Sequence, residues 1–347
     1  MPEARSRNAD DPGGERVLLA HGGGGLLSHQ LVREVFLPYL GNPVLAPLED
    51  SSFFAPPPGR LAFTTDSFVV DPPEFPGGDI GRLAVCGTVN DLAAGGARPL
   101  VLSAGFILEE GTPLALLRRI LASMRDAAAE ADVTVAAGDT KVVPRGKADG
   151  VYINTAGVGV CALDPPPGPA RIRDGDAVLV SGFLGDHGVA VMAAREGLTL
   201  PADVRSDCAP LFPLVQALLG AGVEIRALRD PTRGGLATTL NELAGAAGVE
   251  VEIQEEALPV REGVRAVCEI LGYEPLYLAN EGKMIVVVPE AQADAALAAL
   301  RGCPLGRDAA RIGRATGTGT PRVILRTLTG GGRILDVPAG ELLPRIC

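Results

Sequence analysis

The sequence predicts an α+β protein of two domains, with strands and helices mixed in layers. Three observations carry this expectation. The chain has 347 residues, roughly two domains' worth. Apolar runs of strand length and amphipathic runs of helix length follow one another without the strict strand–helix–strand alternation of a doubly wound sheet. A proline run at 163–170, LDPPPGPA, must be extended and exposed, and it cuts the chain near its middle. The expected organisation is a disordered leader at 1–15, a domain at 16–162, the linker at 163–170, a second domain at 171–332 and a flexible tail at 333–347.

In the first domain, residues 61–70, 100–108, 133–137 and 152–160 read as strands. Thr112-Pro113 supplies an N-cap and first-turn pair. The helix it opens runs through Ala131, with Leu117, Ile120, Leu121, Met124 and Ala128 on one face. In the second domain, 177–181 and 284–288 read as strands, and 187–196, 211–219, 234–247 and 291–301 as helices. The last fifteen steps, from Gly332 to Cys347, could span ~50 Å if fully extended, enough to cross a domain.

Composition excludes several functions. Lys+Arg 31 against Asp+Glu 42 leaves a net charge of −11, and with no Trp there is little to stack on bases, so nucleic acid is not an expected partner. No uncharged run is long enough for a membrane span, and the polar N-terminus lacks the apolar stretch of a signal peptide. The six cysteines never form CxxC, which argues against a disulfide framework and for a cytoplasmic protein. Only three of the basic residues are Lys, at 141, 147 and 283, in a chain that otherwise uses Arg. A compact ammonium is retained where a guanidinium cannot replace it, or by chance.

Nucleotide motifs of the common kinds fail: no GxxxxGK[ST] occurs, and the GxGxxA match at 157–162 ends in the proline linker instead of opening a helix. A set of aspartates stands out instead. Asp66 interrupts the strand AFTTDSFVV, where a buried carboxylate needs a partner or a metal. Asp91 lies in the small-residue segment CGTVNDLAAGGA, Asp139 follows a strand in VAAGDTKVV two residues before Lys141, and Asp50 sits in the turn-like PLEDSSF. Each alone could be a cap or turn residue. Together with Lys141 and the glycines Gly22, Gly23, Gly24 and Gly25, whose amides could wrap phosphates, they point to a Mg²⁺–nucleotide site. Thr232 is a candidate N-cap. His21 and His29 lack metal-ligand spacing, and His187 reads as a turn or substrate-contact residue.

The chain ends Leu343-Pro344-Arg345-Ile346-Cys347. A prenylated Cys would stand fourth from the end, so lipidation does not fit. A thiol at the tip of such a tail can carry a covalently attached group.

The segments HGGGG (21–25), GDTKVV (138–143), RDPTRGG (229–235), NEGK (280–283) and the terminal PRIC, with 63–71 and 83–91, resemble the hydrogenase maturation family HypE. That family lies within the aminoimidazole-ribonucleotide-synthetase-like (PurM-like) superfamily of ATP-using enzymes. The likeness covers the chain from about residue 17, with Asp50-Ser51-Ser52 matching only loosely. It implies a homodimer whose β-rich N-terminal domains form a shared barrel, and a C-terminal α/β sandwich. It implies ATP and Mg²⁺, with Asp50, Asp66, Asp91 and Asp139 as metal ligands. Gly22–Gly25, Asn90, Thr140 and Asp230 join Asp66, Asp91 and Asp139 in nucleotide binding. The implied reaction is ATP-dependent dehydration of an S-carbamoyl group on Cys347 to a thiocyanate. For that chemistry Lys141 is expected to neutralise phosphoryl charge, and Glu281, a carboxylate that could meet the tail if the C-terminal region covers the site, is expected to be the general base. A HypF-type carbamoyltransferase would load Cys347, and a HypC–HypD complex would accept the cyanide for the iron of [NiFe] hydrogenase. Two other readings stay open: a superfamily kinase such as thiamine-monophosphate kinase or a selenophosphate synthetase, and a non-catalytic ATP-binding scaffold.

Overall fold

The computed structural model describes residues 14–317, 320–338, 340 and 345–347. The expected leader lies almost wholly outside the described residues. The first domain is a four-stranded sheet of β1 (Leu61–Phe68), β2 (Ala97–Glu109), β3 (Thr134–Val143) and β4 (Val151–Cys161), in the order β1-β4-β2-β3. All neighbours are antiparallel except β2 and β3. Helices α1 (Ile80–Ala94) and α2 (Leu114–Glu130) cover one face. A further helical stretch from Leu26 to Leu40, not expected from the sequence, packs Leu31, Val35, Phe36 and Leu40 into the same core.

Helix α2 buries the expected stripe of Leu117, Ile120, Leu121, Met124 and Ala128. Its start is not capped as expected. Pro113 stands at the N-cap, and the Thr112 hydroxyl donates instead to the carbonyls of Glu109 and Gly150, tying down the preceding turn. Helix α1 is buried almost all round, because α2, the sheet and the second domain surround it. Asp79 caps it by accepting from the amides of Gly81 and Arg82.

The second domain holds a seven-stranded mixed sheet. Its strands are β5 (Ala177–Val180), β6 (Ala227–Arg229), β7 (Glu250–Gln254), β8 (Ile285–Val288), β9 (Ala310–Thr316), β10 (Arg322–Arg326) and β11 (Gly332–Leu335). Their order is β11-β10-β7-β9-β5-β8-β6. Helices α4 (Phe212–Gly220), α5 (Gly235–Ala247) and α7 (Ala293–Gly302) pack on its faces, while α3 (Asp186–Glu196) and α6 (Glu262–Leu271) turn their apolar sides toward the first domain. Strands β5 and β8 read as unbroken apolar runs because both their faces are covered. Val178, Val180, Ile285 and Val287 pack on the α5 side, and Leu179, Val286 and Val288 on the side of α4 and α7. Strand β11 lies in the stretch expected to be tail, since the glycines of 330–332 turn the chain back as a hairpin with β10. Thr232 does not cap α5; Gly234, in the left-handed region, takes that place.

The two domains share a core. Val189, Met192, Val204, Val267 and Leu278 of the second domain pack into the same apolar cluster as β1, β2, α1 and α2 of the first. Asn90 of α1 stitches the junction: its amide donates to the carbonyls of Ala209 and Glu281, and its oxygen accepts from the Leu211 amide.

Candidate active site

A cleft of about 150 Å³ opens at this junction, lined by Thr65, Asp66, Gly87, Asp91, Asp230, Thr232, Arg233, Glu281 and Cys347. Alternation along β1 sends Thr64 and Asp66 toward α1. The Thr64 hydroxyl donates to Asp91 at 2.7 Å, and the Ser67 amide to Asp66 at 2.8 Å. Asp91 stands one turn beyond Gly87 on α1. Asp230, Thr232 and Arg233 come from the loop between β6 and α5, and Glu281 from the loop before β8.

Glu281 is held by its backbone. Its amide donates to Asp207 Oδ1 at 3.0 Å, and its carbonyl accepts from Asn90 at 3.1 Å. Asp207 is in turn paired with Lys283 at 3.1 Å, both largely buried. Gly282 makes this turn possible, because a Cβ there would lie 1.7 Å from the Asp207 carbonyl oxygen. The Glu281 side chain is only 3% exposed, and its Oε1 has no hydrogen-bond partner.

Burial pushes all four cleft carboxyls up. For Asp66 and Asp91 desolvation is the main cause. Asp230 is raised to about 7 by burial and then by the charge of Asp91. Glu281 is raised well above its usual range by burial, with Asp230 and Asp207 adding to it. Arg233 and Arg229 are the cations that oppose these shifts. By contrast, burial raises Asp207, but the Lys283 ammonium beside it and the hydrogen bonds from Lys283 and the Glu281 amide outweigh that and hold it low. Four carboxyls facing one another in a partly dry cleft make a site short of positive charge.

Such a site suits Mg²⁺, which keeps several waters and takes one or two carboxylates together with phosphate oxygens. Asp66 and Asp91 fit that modest demand. Among the described residues no group of three or more His, Cys, Asp or Glu is placed to hold a metal by itself. The cavity is smaller than the ~300–1,000 Å³ that encloses a whole cofactor, so it has room for only part of one.

The expected site residues therefore separate into two groups within one chain. Asp66, Asp91, Asp230, Glu281 and Cys347 come together. Asp50, Gly22–Gly25, Asp139, Thr140 and Lys141 do not join them. Asp139 lies inside β3, not after a strand, and β3 is the edge opposite β1, three strand spacings or about 14 Å away. The register row Ser67–Asn154–Gly105–Asp139 also puts Asp139 on the sheet face opposite Asp66, and Lys141, two residues on, shares that outer face. There Asp139 accepts from the Thr140 amide and from Lys141, both partners being exposed. Gly22 packs against Val142 of β3, and a Cβ on it would lie 2.7 Å from the Val142 amide nitrogen. Asp50 is exposed in a loop that the Ser52 hydroxyl ties to Ala136 of the same strand. Asn90 is a clamp with its amide fully engaged, not an open ligand. Arg233, Thr64 and Thr65 were missed in the sequence; Arg233 was legible as a cation three residues from Asp230.

Comparisons with known proteins accord with this geometry. The family model described as AIR synthase related protein, N-terminal domain, matches residues 49–161, and the corresponding C-terminal domain matches 173–326. A carbamoyl dehydratase HypE of Rhodobacter capsulatus is 55% identical over 336 residues, covering 96% of this chain and 98% of that protein. The chain belongs to the HypE family. A crystal structure of the hydrogenase maturation protein HypE in complex with ATP superposes with a TM-score of 0.92 at 51% identity, over 95% of this chain and 99% of that one. A HypE–HypF complex matches with a TM-score of 0.77 at 46% identity, over 89% of this chain and 99% of that one. The two-domain AIR-synthase-like fold expected from the sequence is thereby established.

Proposed function

We propose that this HypE-family chain is an ATP-dependent carbamoyl dehydratase that acts on its own C-terminal cysteine in [NiFe]-hydrogenase maturation. The observation that carries the reading is the seating of Cys347 in the cleft that also holds Asp66, Asp91 and Glu281. A kinase of an outside small molecule has no use for a terminal thiol in that place.

The balanced reaction turns R–S–C(=O)NH₂ and ATP into R–S–C≡N, ADP and phosphate. The amide oxygen attacks the γ-phosphorus, and ADP leaves. Phosphorylation converts a hydroxide-like leaving group into phosphate, and the nitrogen gives up both protons as the C–O bond breaks. Glu281 is the base for this deprotonation: it is buried beside Cys347, and the burial that raises its pKa makes its ionised form the stronger base. Asp66 and Asp91 would hold Mg²⁺, which neutralises phosphate charge when bound. Asp230 and Arg233 flank the nucleotide's reacting end.

The second group of residues calls for a second copy of the chain. The outer face of the first-domain sheet leaves Phe63 71% and Ile107 44% exposed, and it carries Asp139 and Lys141. A homodimer formed through this face, closing the two sheets into a barrel, would cover the apolar side chains. It would also give Asp139, Thr140, Lys141 and the glycine turn a route to the nucleotide. Cys347 is loaded by a HypF-type carbamoyltransferase, and a HypC–HypD complex takes the cyanide. No helix among the described residues is long and apolar enough to cross a membrane, and we place the protein in the cytoplasm.

The test is the intact mass of the carbamoylated protein with and without MgATP. Loss of one water, confined to the C-terminal peptide, is expected. An adduct unchanged by MgATP refutes the dehydratase and promotes the scaffold reading.

A further inference from the structure

Residues 345–347 lie along the segment that continues β1. The Val69 amide donates to the Cys347 terminal carboxylate at 3.0 Å, and the Asp71 amide to the Arg345 carbonyl at 3.2 Å. Arg345 Nε donates back to the Val69 carbonyl at 2.9 Å, and Ile346 is buried in the core that the two domains share.

Two side chains of α3 reach across the junction to the tail backbone. His187 Nε2 stands 2.9 Å from the Ile346 carbonyl, and the Arg195 guanidinium 2.8 Å from the Arg345 carbonyl. A carbonyl can only accept, so Nε2 carries the ring proton. Nδ1 of the neutral ring then accepts from the Ser206 hydroxyl at 2.9 Å. The ring is fully buried, edge-on to Phe75, with centroids 5.3 Å apart. Arg195 also donates to the Asp71 carbonyl at 2.6 Å, so one guanidinium clasps the tail and its seat together.

Seated in this way, Cys347 faces a cleft of about 150 Å³, which cannot admit the active site of another protein. A group delivered by a partner enzyme must reach the thiol with the tail released, whereas reaction with ATP needs the tail seated. We infer that His187 and Arg195 form a latch on the tail backbone, and that its strength sets the balance between a seated form that is dehydrated and a released form that is loaded. His187 is a positioning residue that acts through Ile346. The inference rests on the reading of Cys347 as the carbamoyl carrier.

Two rates read the two forms in opposite directions. Alkylation of Cys347 by iodoacetamide in the full chain without nucleotide, followed on the C-terminal peptide by mass, reports the released fraction. Single-turnover dehydration of the carbamoylated protein reports the seated one. Losing one hydrogen bond of the latch shifts the balance by about tenfold. His187→Leu and Arg195→Ala are expected to speed alkylation by about that factor and to slow dehydration, with KM for ATP unchanged. His187→Gln, which keeps an N–H near the Nε2 position, restores both rates toward wild type. Folding is checked by thermal melting; if His187→Leu gives no cooperative melt, Arg195→Ala decides. Alkylation at the wild-type rate in the folded variants overturns the latch, even if dehydration falls. If the wild-type adduct itself loses no water, the dehydratase reading fails, while the alkylation rates still decide the latch.

Discussion

Replacing Glu281 by Gln tests the chemistry at its centre. The substitution leaves shape and backbone untouched, so the bonds from the Glu281 amide to Asp207 and from Asn90 to the Glu281 carbonyl survive. Its effect on stability is small, because burial already favours the uncharged acid, whose near-isostere is Gln; we expect a change within ~1 kcal/mol, measured by urea denaturation. Its effect on rate is large. Loss of a positioned general base slows proton transfer by roughly 10²–10⁴. The assay is single-turnover loss of water from the carbamoylated chain, quenched at intervals, with phosphate release measured alongside. The pH profile adds an independent sign. Glu281 must be ionised to act, and its folded pKa is raised, so the wild-type rate falls as pH drops through that raised value, while the Gln variant loses this limb. Dehydration of the Gln variant within threefold of wild type would refute the assignment and move the base to Asp230.

Three further outcomes follow from the same geometry. Lys283→Met leaves the buried Asp207 carboxylate unpaired and should cost roughly 3 kcal/mol in denaturant unfolding; a loss below ~1 kcal/mol would mean the pair does not hold the Glu281 turn. Asp186, buried beside Asp207 and raised to about 6, binds more protons folded than unfolded between pH 4 and 6. Stability from this group is therefore greatest at the acid end and is lost as pH rises through that window, by at most about 3 kcal/mol, and Asp186→Asn should flatten this slope of the unfolding free energy. Phe63→Asp puts a charge on the exposed apolar face of the first sheet, and sedimentation equilibrium should show a homodimer turned into monomers; an unchanged wild-type mass would remove that face as the interface.

What the sequence disclosed depended on how each element is covered. Helix α2 was legible because one face meets a core and the other meets water, which leaves a 3.6-residue rhythm. Strand β8 was legible because both its faces are dry and short apolar runs survive only there. Helix α1 hid for the opposite reason: enclosed on nearly all sides, it shows no polar face to set off the apolar one. Helix α6 could have been found, since Val264, Val267 and Cys268 keep helical spacing before the terminating Gly272. Gly138-Asp139-Thr140 read as the end of a strand because such residues favour turns, yet pairing with β2 draws them into the sheet. Asp66 and Asp91 stood out in the sequence because a carboxylate inside a strand or an apolar, small-residue segment is out of place. The division of the aspartates between two sheet faces was not legible, because residue spacing does not reveal strand order. Arg233 and the latch residues acquire meaning only once the second domain is laid against the first.

One consequence lies in β1 itself. Asp66 and the amides of Val69 and Asp71 belong to one continuous run of backbone, so the acidic group and the berth of the thiol ride on a common rail. Thermal displacement of either domain moves both together and leaves their spacing nearly constant. An inserted residue between positions 66 and 69 would shift the berth by about 3.4 Å and exchange inward for outward side chains. A loop elsewhere could lengthen without that penalty. Tolerance to insertion should therefore collapse over these few residues, a pattern that a length-scanning library of the first domain would display directly.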